Sequence, residues 1–272
     1  MKQTFETPDP VKLYVELGSG HLHALGAETD QAEVVISGPR AEEFVVTLTG
    51  SNNLSIIAPH GRFFGRGDSH DIAVTVPVGS DLVTKMGSAD TSTTGPLGVL
   101  ALKTGSGDVE IDRADGAVVI ESGSGDVKGY QLGAEVRIKS GSGDIDLGEV
   151  AGKTGISTGS GDVVLGLVRA ATVVKTGSGD LKVERSEGDV SLTTASGDLF
   201  IGNAPRGKVV AKNVSGDVRI GIPVGTPVWT DVNTVTGSLR NNLTAVGKPA
   251  EGQDYVELRA TTVSGDVVLQ HV

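Results

Sequence analysis

An aspartate recurs every 18 residues through the middle of this chain, in most copies within the phrase Ser-Gly-Asp followed by Val, Ile or Leu. From Asp90 to Asp198 six successive intervals are identical, and an interval of 19 residues then leads to Asp217. Chance does not produce such a run, so each interval predicts one structural unit that stacks on its neighbour. The full column is Asp90, Asp108, Asp126, Asp144, Asp162, Asp180, Asp198, Asp217 and Asp266.

Each 18-residue unit contains two short stretches in which apolar residues alternate with others. Val163 and Leu165 follow one aspartate, and Thr172 and Val174 repeat the pattern nine residues later. Alternation with period two predicts strands, so one turn holds two strands separated by glycine-rich corners. Because the period is even, a side chain that points inward in one turn points inward in the next.

These patterns predict an all-β fold, a single parallel β-solenoid with turns of roughly 18 residues and a flattened cross-section of two sheets. A solenoid with three six-residue faces is the alternative, and no six-residue period supports it. Glycine supplies 40 of 272 residues and aromatic residues only 3%, so Val, Ile and Leu must fill a thin core.

Domain boundaries follow from where the strict period begins. Residues 1–80 keep the alternation without the period, which predicts an irregular β cap or opening turns. Residues 81–272 are predicted to form the solenoid, with an insertion loop at 241–253, and the whole chain to form one continuous unit. Candidate strands in the opening region are Val11 to Leu17, His21 to Leu25, Ala32 to Ser37, Phe44 to Thr49, Leu54 to Ala58 and Asp71 to Val76.

The end of the chain is predicted to be an open sheet edge. The sequence stops shortly after Val267 to Leu269, and no capping segment follows these residues. An uncovered edge strand is a template for pairing with another chain. We therefore expect self-association through this end of the solenoid.

The aspartate column is the sharpest candidate site. Stacked turns would place its carboxylates in a ladder with a spacing of about 4.8 Å. We predict a structural role, in which the aspartates bond backbone N–H groups at the corners. Calcium between turns is the alternative, but the aspartate directly follows the second glycine, unlike the spacing in calcium-binding nonapeptide repeats. No metal and no cofactor is expected.

Three aromatic residues are candidate partner contacts. Phe63 and Phe64 are adjacent in a loop rich in glycine and arginine, where they either pack onto the cap or contact a partner. Trp229 is predicted to point outward from its strand. Either the nearby insertion covers this tryptophan or the indole is offered for binding.

Composition excludes several classes of function. A formal net charge of −11 argues against a broad phosphate-binding face, so no nucleic acid is expected as a partner. The chain contains no cysteine and no apolar stretch long enough to cross a membrane. The N-terminal segment lacks the features of a signal peptide, which predicts a cytoplasmic protein, or a secreted one if a leader has been removed.

No catalytic constellation stands out. His21 and His23 lie on one strand face and could form a metal pair, but no third ligand follows at a fixed spacing. The sequence holds no nucleophile elbow and no phosphate-binding loop. We therefore predict that the protein is not an enzyme.

Four segments together resemble the bacterial putative-adhesin β-strand repeat family of unknown function. They are the repeated SGDV turns, the segment FETPDPVKLYVELGSGHLHALGA, the turn VPVGSDL and the terminal ATTVSGDVVL. The resemblance covers nearly the whole chain, is similar to shorter stand-alone members without a signal peptide, and implies an architecture more than an activity.

The leading functional prediction is a non-catalytic structural scaffold or protein-interaction module. Its partner would be another protein or a second copy bound through a solenoid end. A surface adhesin that binds a glycan or polymer is the alternative. A metal-dependent hydrolase built on His21 and His23 is the least favoured reading.

Overall fold

A computed structural model describes residues 1–59 and 69–272. The chain divides into two compact units, Met1–Gly141 and Ser142–Val272. Both units are built from short strands, and the one helical element is a single 3-10 turn, Ala41–Glu43, among the residues described. None of the described segments is a helix long and apolar enough to span a membrane.

The first unit contains two sheets. Their orders are β1-β4-β7-β3-β9-β11-β13 and β5-β6-β2-β8-β10-β12. The strands are β1 Lys2–Glu6, β2 Lys12–Leu17, β3 Gly20–Ala27, β4 Gln31–Ser37, β5 Val45–Thr49, β6 Asn53–Ile57, β7 His70–Pro77, β8 Asp81–Met86, β9 Asp90–Leu97, β10 Leu100–Thr104, β11 Val109–Ala114, β12 Val118–Ser124, β13 Val127–Leu132 and β14 Val136–Ser142, which ends at the boundary between the units.

The opening region combines parallel and antiparallel pairs. Strands β2, β3, β6 and β7 are parallel to their solenoid neighbours, whereas β1–β4, β4–β7 and β5–β6 are antiparallel. Each of the six strands expected here is present, with ends shifted by two residues at most. The sequence analysis missed β1, whose exposed edge position leaves little apolar signal. A domain boundary at residue 80 stays a prediction.

The second unit also contains two sheets. Their orders are β15-β17-β19-β21-β23-β27-β25 and β16-β18-β20-β22-β26-β24. The strands are β15 Ile145–Val150, β16 Thr154–Ser160, β17 Val163–Val168, β18 Thr172–Ser178, β19 Leu181–Ser186, β20 Val190–Thr193, β21 Leu199–Asn203, β22 Gly207–Lys212, β23 Val218–Ile222, β24 Val228–Thr236, β25 Leu239–Asn241, β26 Val256–Ser264 and β27 Val267–His271.

Consecutive strands along the chain alternate between the two sheets, and the core lies between them. Val163 and Leu165 on one sheet and Ile156 and Val174 on the other are at most 3% exposed. The register pairs each inward residue with the one 18 positions on, as in Val163 with Leu181. These findings confirm the predicted fold class, an all-β fold of two parallel-dominated sheets in a flattened β-solenoid.

The 19-residue interval is accommodated at a corner. Strand β21 ends at Asn203 and β22 begins at Gly207, so the extra residue lies between the strands and the inward pattern resumes at Val209 and Ala211. Gly207 has a φ of +91°, a conformation that glycine adopts at little cost. The core columns therefore continue through the irregular turn.

The prediction of an open edge at Val267 to Leu269 is wrong. Strand β27 lies between β23 and β25, and Val267 and Leu269 are buried. The chain first forms the outermost turn from β24 and β25 and then returns through residues 242–255 to insert β26 and β27 inside it. The reason is burial, since β26 and β27 carry strongly apolar inward side chains, whereas β24 offers Thr230 and Thr234 at its inward positions.

Candidate binding site

The aspartate column forms hydrogen bonds between turns. In the first unit Asp90 and Asp108 each accept the backbone N–H of the next aspartate at 2.9 Å. In the second unit the same bond recurs at 2.7–2.9 Å from Asp144 through to Asp266. The bond spans a whole turn, whereas the sequence analysis expected the side chain to bond a group two positions on. These carboxylates therefore connect successive turns.

The corners leave no room for side chains beside this ladder. A Cβ atom at Gly161, whose φ is +120°, would collide with the carbonyl group of Gly143. At the last position the Asp266 carboxylate accepts the Ser238 N–H at 2.9 Å, and this bond, with nearby Arg240, lowers the pKa of Asp266. Among residues 1–59 and 69–272 no group of three or more His, Cys, Asp or Glu is arranged to hold a metal ion.

The two histidines of the first unit share one hydroxyl group. His21 Nε2 lies 2.9 Å and His23 Nδ1 3.0 Å from Ser92 Oγ. Asp90, Asp108 and Glu110 line a small cavity beside His21 with a volume of about 240 Å³. Both imidazoles direct a nitrogen at a serine, and no third metal ligand joins them within the described part of the chain.

The outermost turn of the second unit carries an unpaired edge. We call β24 and β25, residues 228–241, the terminal turn. Val256 donates its N–H to the Pro227 carbonyl at 3.0 Å, and alternate residues of a parallel strand direct their backbone groups to the same neighbour. Backbone groups at the open edge of β24 therefore belong to Val228, Thr230, Val232 and Thr234.

The terminal turn exposes large apolar side chains. Val235 is 74% exposed, Trp229 50% and Leu239 48%. Thr230 points toward the core side of its sheet and is still exposed, because none of the described residues covers this end. Contiguous apolar surface of this kind marks interaction sites in folded proteins.

A cleft opens beside Trp229 on the outer face of the sheet. Its volume is about 500 Å³, and its lining is mostly apolar. Strands β24 and β26 form its floor, and residues 247–249 of the connecting loop form one wall. The lining residues are Pro227, Val228, Trp229, Gly247, Lys248, Pro249, Tyr255, Glu257 and Arg259.

Cross-strand contacts hold the polar side chains of this cleft. The guanidinium carbon of Arg259 lies 5.6 Å from the centroid of the Trp229 ring, which is cation–π distance. Arg259 also bonds the Glu257 carboxylate at 3.1 Å, and Lys208 lies 3.5 Å from the same carboxylate. The register places Glu257 directly beside Trp229. The indole is thereby fixed by its neighbours while half of its surface stays free.

A second, more polar cavity adjoins the first. Tyr255 and Glu257 line both, and the second cavity also has a volume of about 500 Å³. Its remaining lining includes Glu187, Asp189 and Arg206. The two cavities form one depression with an apolar part at Trp229 and a charged part at Arg206.

The sequence analysis found only one residue of this depression. Trp229 was singled out and does face outward, half exposed, with the insertion loop forming a wall beside it. Phe63 and Phe64 lie outside the described residues. Tyr255 and Arg259 were missed because their proximity to Trp229 depends on the insertion of β26 inside the terminal turn. The Tyr–Val–Glu–Leu–Arg stretch after the loop was the available signal.

Comparison with known proteins gives one extensive match. Residues 21–270 match the model of the Toastrack DUF4097 family. No functionally curated protein matches the chain.

Solved structures provide more distant likenesses, each at 13% sequence identity. A putative cell adhesion protein from Clostridium sporogenes aligns over 100% of this chain and 99% of its own, with a TM-score of 0.24. A putative adhesin from Bacteroides fragilis aligns over 100% and 96%, with a TM-score of 0.37. A putative lipid binding protein from Parabacteroides distasonis aligns over 98% and 96%, with a TM-score of 0.33. The family match is therefore the comparison that bears on identity.

Proposed function

The chain belongs to the Toastrack DUF4097 family, and from that premise we propose that it is a non-catalytic protein-recognition module that binds its partners through the terminal turn and the adjoining cleft. The family is one of unknown function, so the proposal depends on the chemistry of this surface. The partner is another protein or a second copy of the chain.

The observation that carries the proposal is the concentration of aromatic and arginine side chains in one exposed cleft. The chain has a single tryptophan and three tyrosines, and Trp229 and Tyr255 line the same cavity with Arg259. Trp, Tyr and Arg are the residue types that dominate binding energy at protein interfaces. An aromatic-poor chain that places them together at an uncovered end has the composition of a binding surface.

The geometry at His21 and His23 favours this proposal over hydrolysis. Both rings direct a nitrogen to Ser92, and catalysis by a bound metal would need further ligands. The aspartates of the column use a carboxylate oxygen for a backbone N–H of the next turn. These groups have structural partners, whereas the groups at Trp229 face solvent.

A glycan-binding adhesin is the second candidate, and the polar half of the depression favours it. Sugars present apolar faces edged by hydroxyl groups, and the site offers Trp229 and Tyr255 beside carboxylates and Arg206. In this case the aromatic rings would stack on the sugar and Glu257 would accept its hydroxyl groups.

Affinity capture from the native host tests the proposal. We expect the wild-type protein to retain one or more specific proteins, and the double variant Trp229→Ala, Tyr255→Ala to lose them, with affinity falling at least about tenfold. Tyr130→Ala is the matched control, since Tyr130 is exposed to nearly the same fraction, 52% against 49% for Tyr255.

Two outcomes would contradict the proposal. One is equal capture by the wild type and the double variant. The other is binding to a glycan array that depends on Trp229 without any captured protein, which would favour the adhesin. Each arm uses the full chain, and a circular dichroism spectrum confirms that the variants remain folded.

A further inference from the structure

We propose that the open edge of β24 binds the same edge of a second copy, so that two chains pair in antiparallel orientation about Val232. This inference rests on the proposed function, because it identifies one of the partners of the terminal turn. The surface is β24 itself, whose nine residues read Val-Trp-Thr-Asp-Val-Asn-Thr-Val-Thr.

The first argument is the lack of protection on this edge. Natural edge strands are commonly blocked by lysine, proline, bulges or inward charges. Strand β24 contains no lysine and no proline, and Asp231 is its one charged residue. Its side chains on both faces include exposed or half-buried apolar groups. Such an edge is suited to accept another strand.

The second argument is that the sequence of β24 is nearly symmetric about Val232. Antiparallel pairing about this residue sets Thr230 opposite Thr234 of the second copy, and Val232 opposite itself. Pairs of threonines and of β-branched apolar residues stabilise neighbouring strands. The half-exposed inward side chains of each terminal turn would cover those of the other. A strand from an unrelated protein would have no reason to meet a symmetric edge.

The third argument comes from the backbone and the outer face. Val232 directs its N–H and C=O to the open edge, so the pair on the two-fold axis exchanges both hydrogen bonds, and the neighbouring pairs come closest through their side chains. These closest pairs are Trp229 with Val235 and Asp231 with Asn233. An exposed indole thus meets the most exposed valine of the strand, and Asp231 meets an amide rather than its own copy.

The opposing strand of the other sheet permits the same arrangement. Arg240 on β25 is ion-paired with Asp266 at 3.3 Å, so its charge is offset at the end of the turn. A two-fold axis perpendicular to the sheets would continue both sheets of the unit into the second copy.

Cysteine trapping tests the register directly, because the native chain contains no cysteine. Differently tagged Asp231→Cys and Asn233→Cys proteins are mixed under mild oxidation. Opposite residues of a closely spaced pair have Cα atoms about 4.5 Å apart, within disulfide range, whereas diagonal neighbours are about 7–8 Å apart. We expect the mixed disulfide to form at least about tenfold faster than either homodimer.

Sedimentation velocity supplies the second arm. The wild type should show a monomer–dimer equilibrium, and Val235→Lys should weaken the dimer by about tenfold or more. Val173→Lys is the control, since Val173 is an exposed outward valine on a strand paired on both sides. A monomer at every concentration, or homodisulfides as fast as the mixed one, would overturn the inference. The proposed function would survive that result if protein capture still depended on Trp229 and Tyr255.

Discussion

Each aspartate of the column acts at the level of a single hydrogen bond. Asp162 Oδ1 accepts the Asp180 N–H at 2.8 Å, and its own N–H is donated to Asp144 at 2.9 Å. The side chain thus supports a backbone group in the next turn that would otherwise lack a protein partner. This explains why the residue recurs with the period of the turn and not with that of the strand.

Asp162→Ala should therefore destabilise the fold by about 1 kcal/mol, the usual contribution of one hydrogen bond. Asp162→Asn keeps an acceptor oxygen and should lose less. Asp146→Ala is the control, because Asp146 is exposed on the outer face of a strand. Urea unfolding measures all three, and equal losses for Asp162→Ala and Asp146→Ala would contradict the role assigned to the column.

At the scale of the strand, inward and outward positions differ by one residue. On β18, Val174 is 1% exposed and Val173 is 42% exposed. A carboxylate at position 174 would be buried without a partner, whereas one at position 173 would remain in water.

Val174→Asp should abolish cooperative folding or soluble expression, and Val173→Asp should leave the melting temperature nearly unchanged. Thermal denaturation followed by circular dichroism checks both variants. Similar melting of Val174→Asp and the wild type would show that the facing of β18 is misassigned.

The strands and their facing could be predicted because each repeat carries its own signal. Val163 and Leu165 reveal an inward column through alternation alone, and the aspartates reveal the corners. The position of the last turns could not be predicted in this way. A repeat specifies how its strands face, but the order of stacking was decided by competition between turns for the buried position, which β26 and β27 won over the threonine-containing β24.

The candidate site was found only in part for the same reason. Trp229 was recognisable as an outward aromatic residue within an alternating strand. Its neighbours Tyr255 and Arg259 come from a strand that is adjacent in space and separated in sequence by the 242–255 loop. No local pattern reports such a contact.

For the whole molecule, the acidic balance raises the question of metal binding. The chain has a formal net charge of −11, and the aspartate columns contribute to it. Their carboxylates bond backbone N–H groups in both units. We therefore propose that folding is independent of calcium.

Adding calcium or a chelator should change the melting temperature by no more than about 1 °C, because a ligand stabilises a fold only when it binds the native state. Differential scanning calorimetry of the full chain in both conditions checks this expectation, with magnesium as the control for ionic strength. A rise of many degrees that is specific to calcium would assign the columns to metal binding.

The central claim is that the surface around Trp229 contacts a protein in the cell. Incorporation of a photo-crosslinking amino acid at position 255, with position 130 as the equally exposed control, measures this contact in the native host. The account predicts covalent protein adducts from position 255 that are absent from position 130 and lost in the Trp229→Ala background. Adducts of equal yield from both positions, or none from position 255, would contradict it.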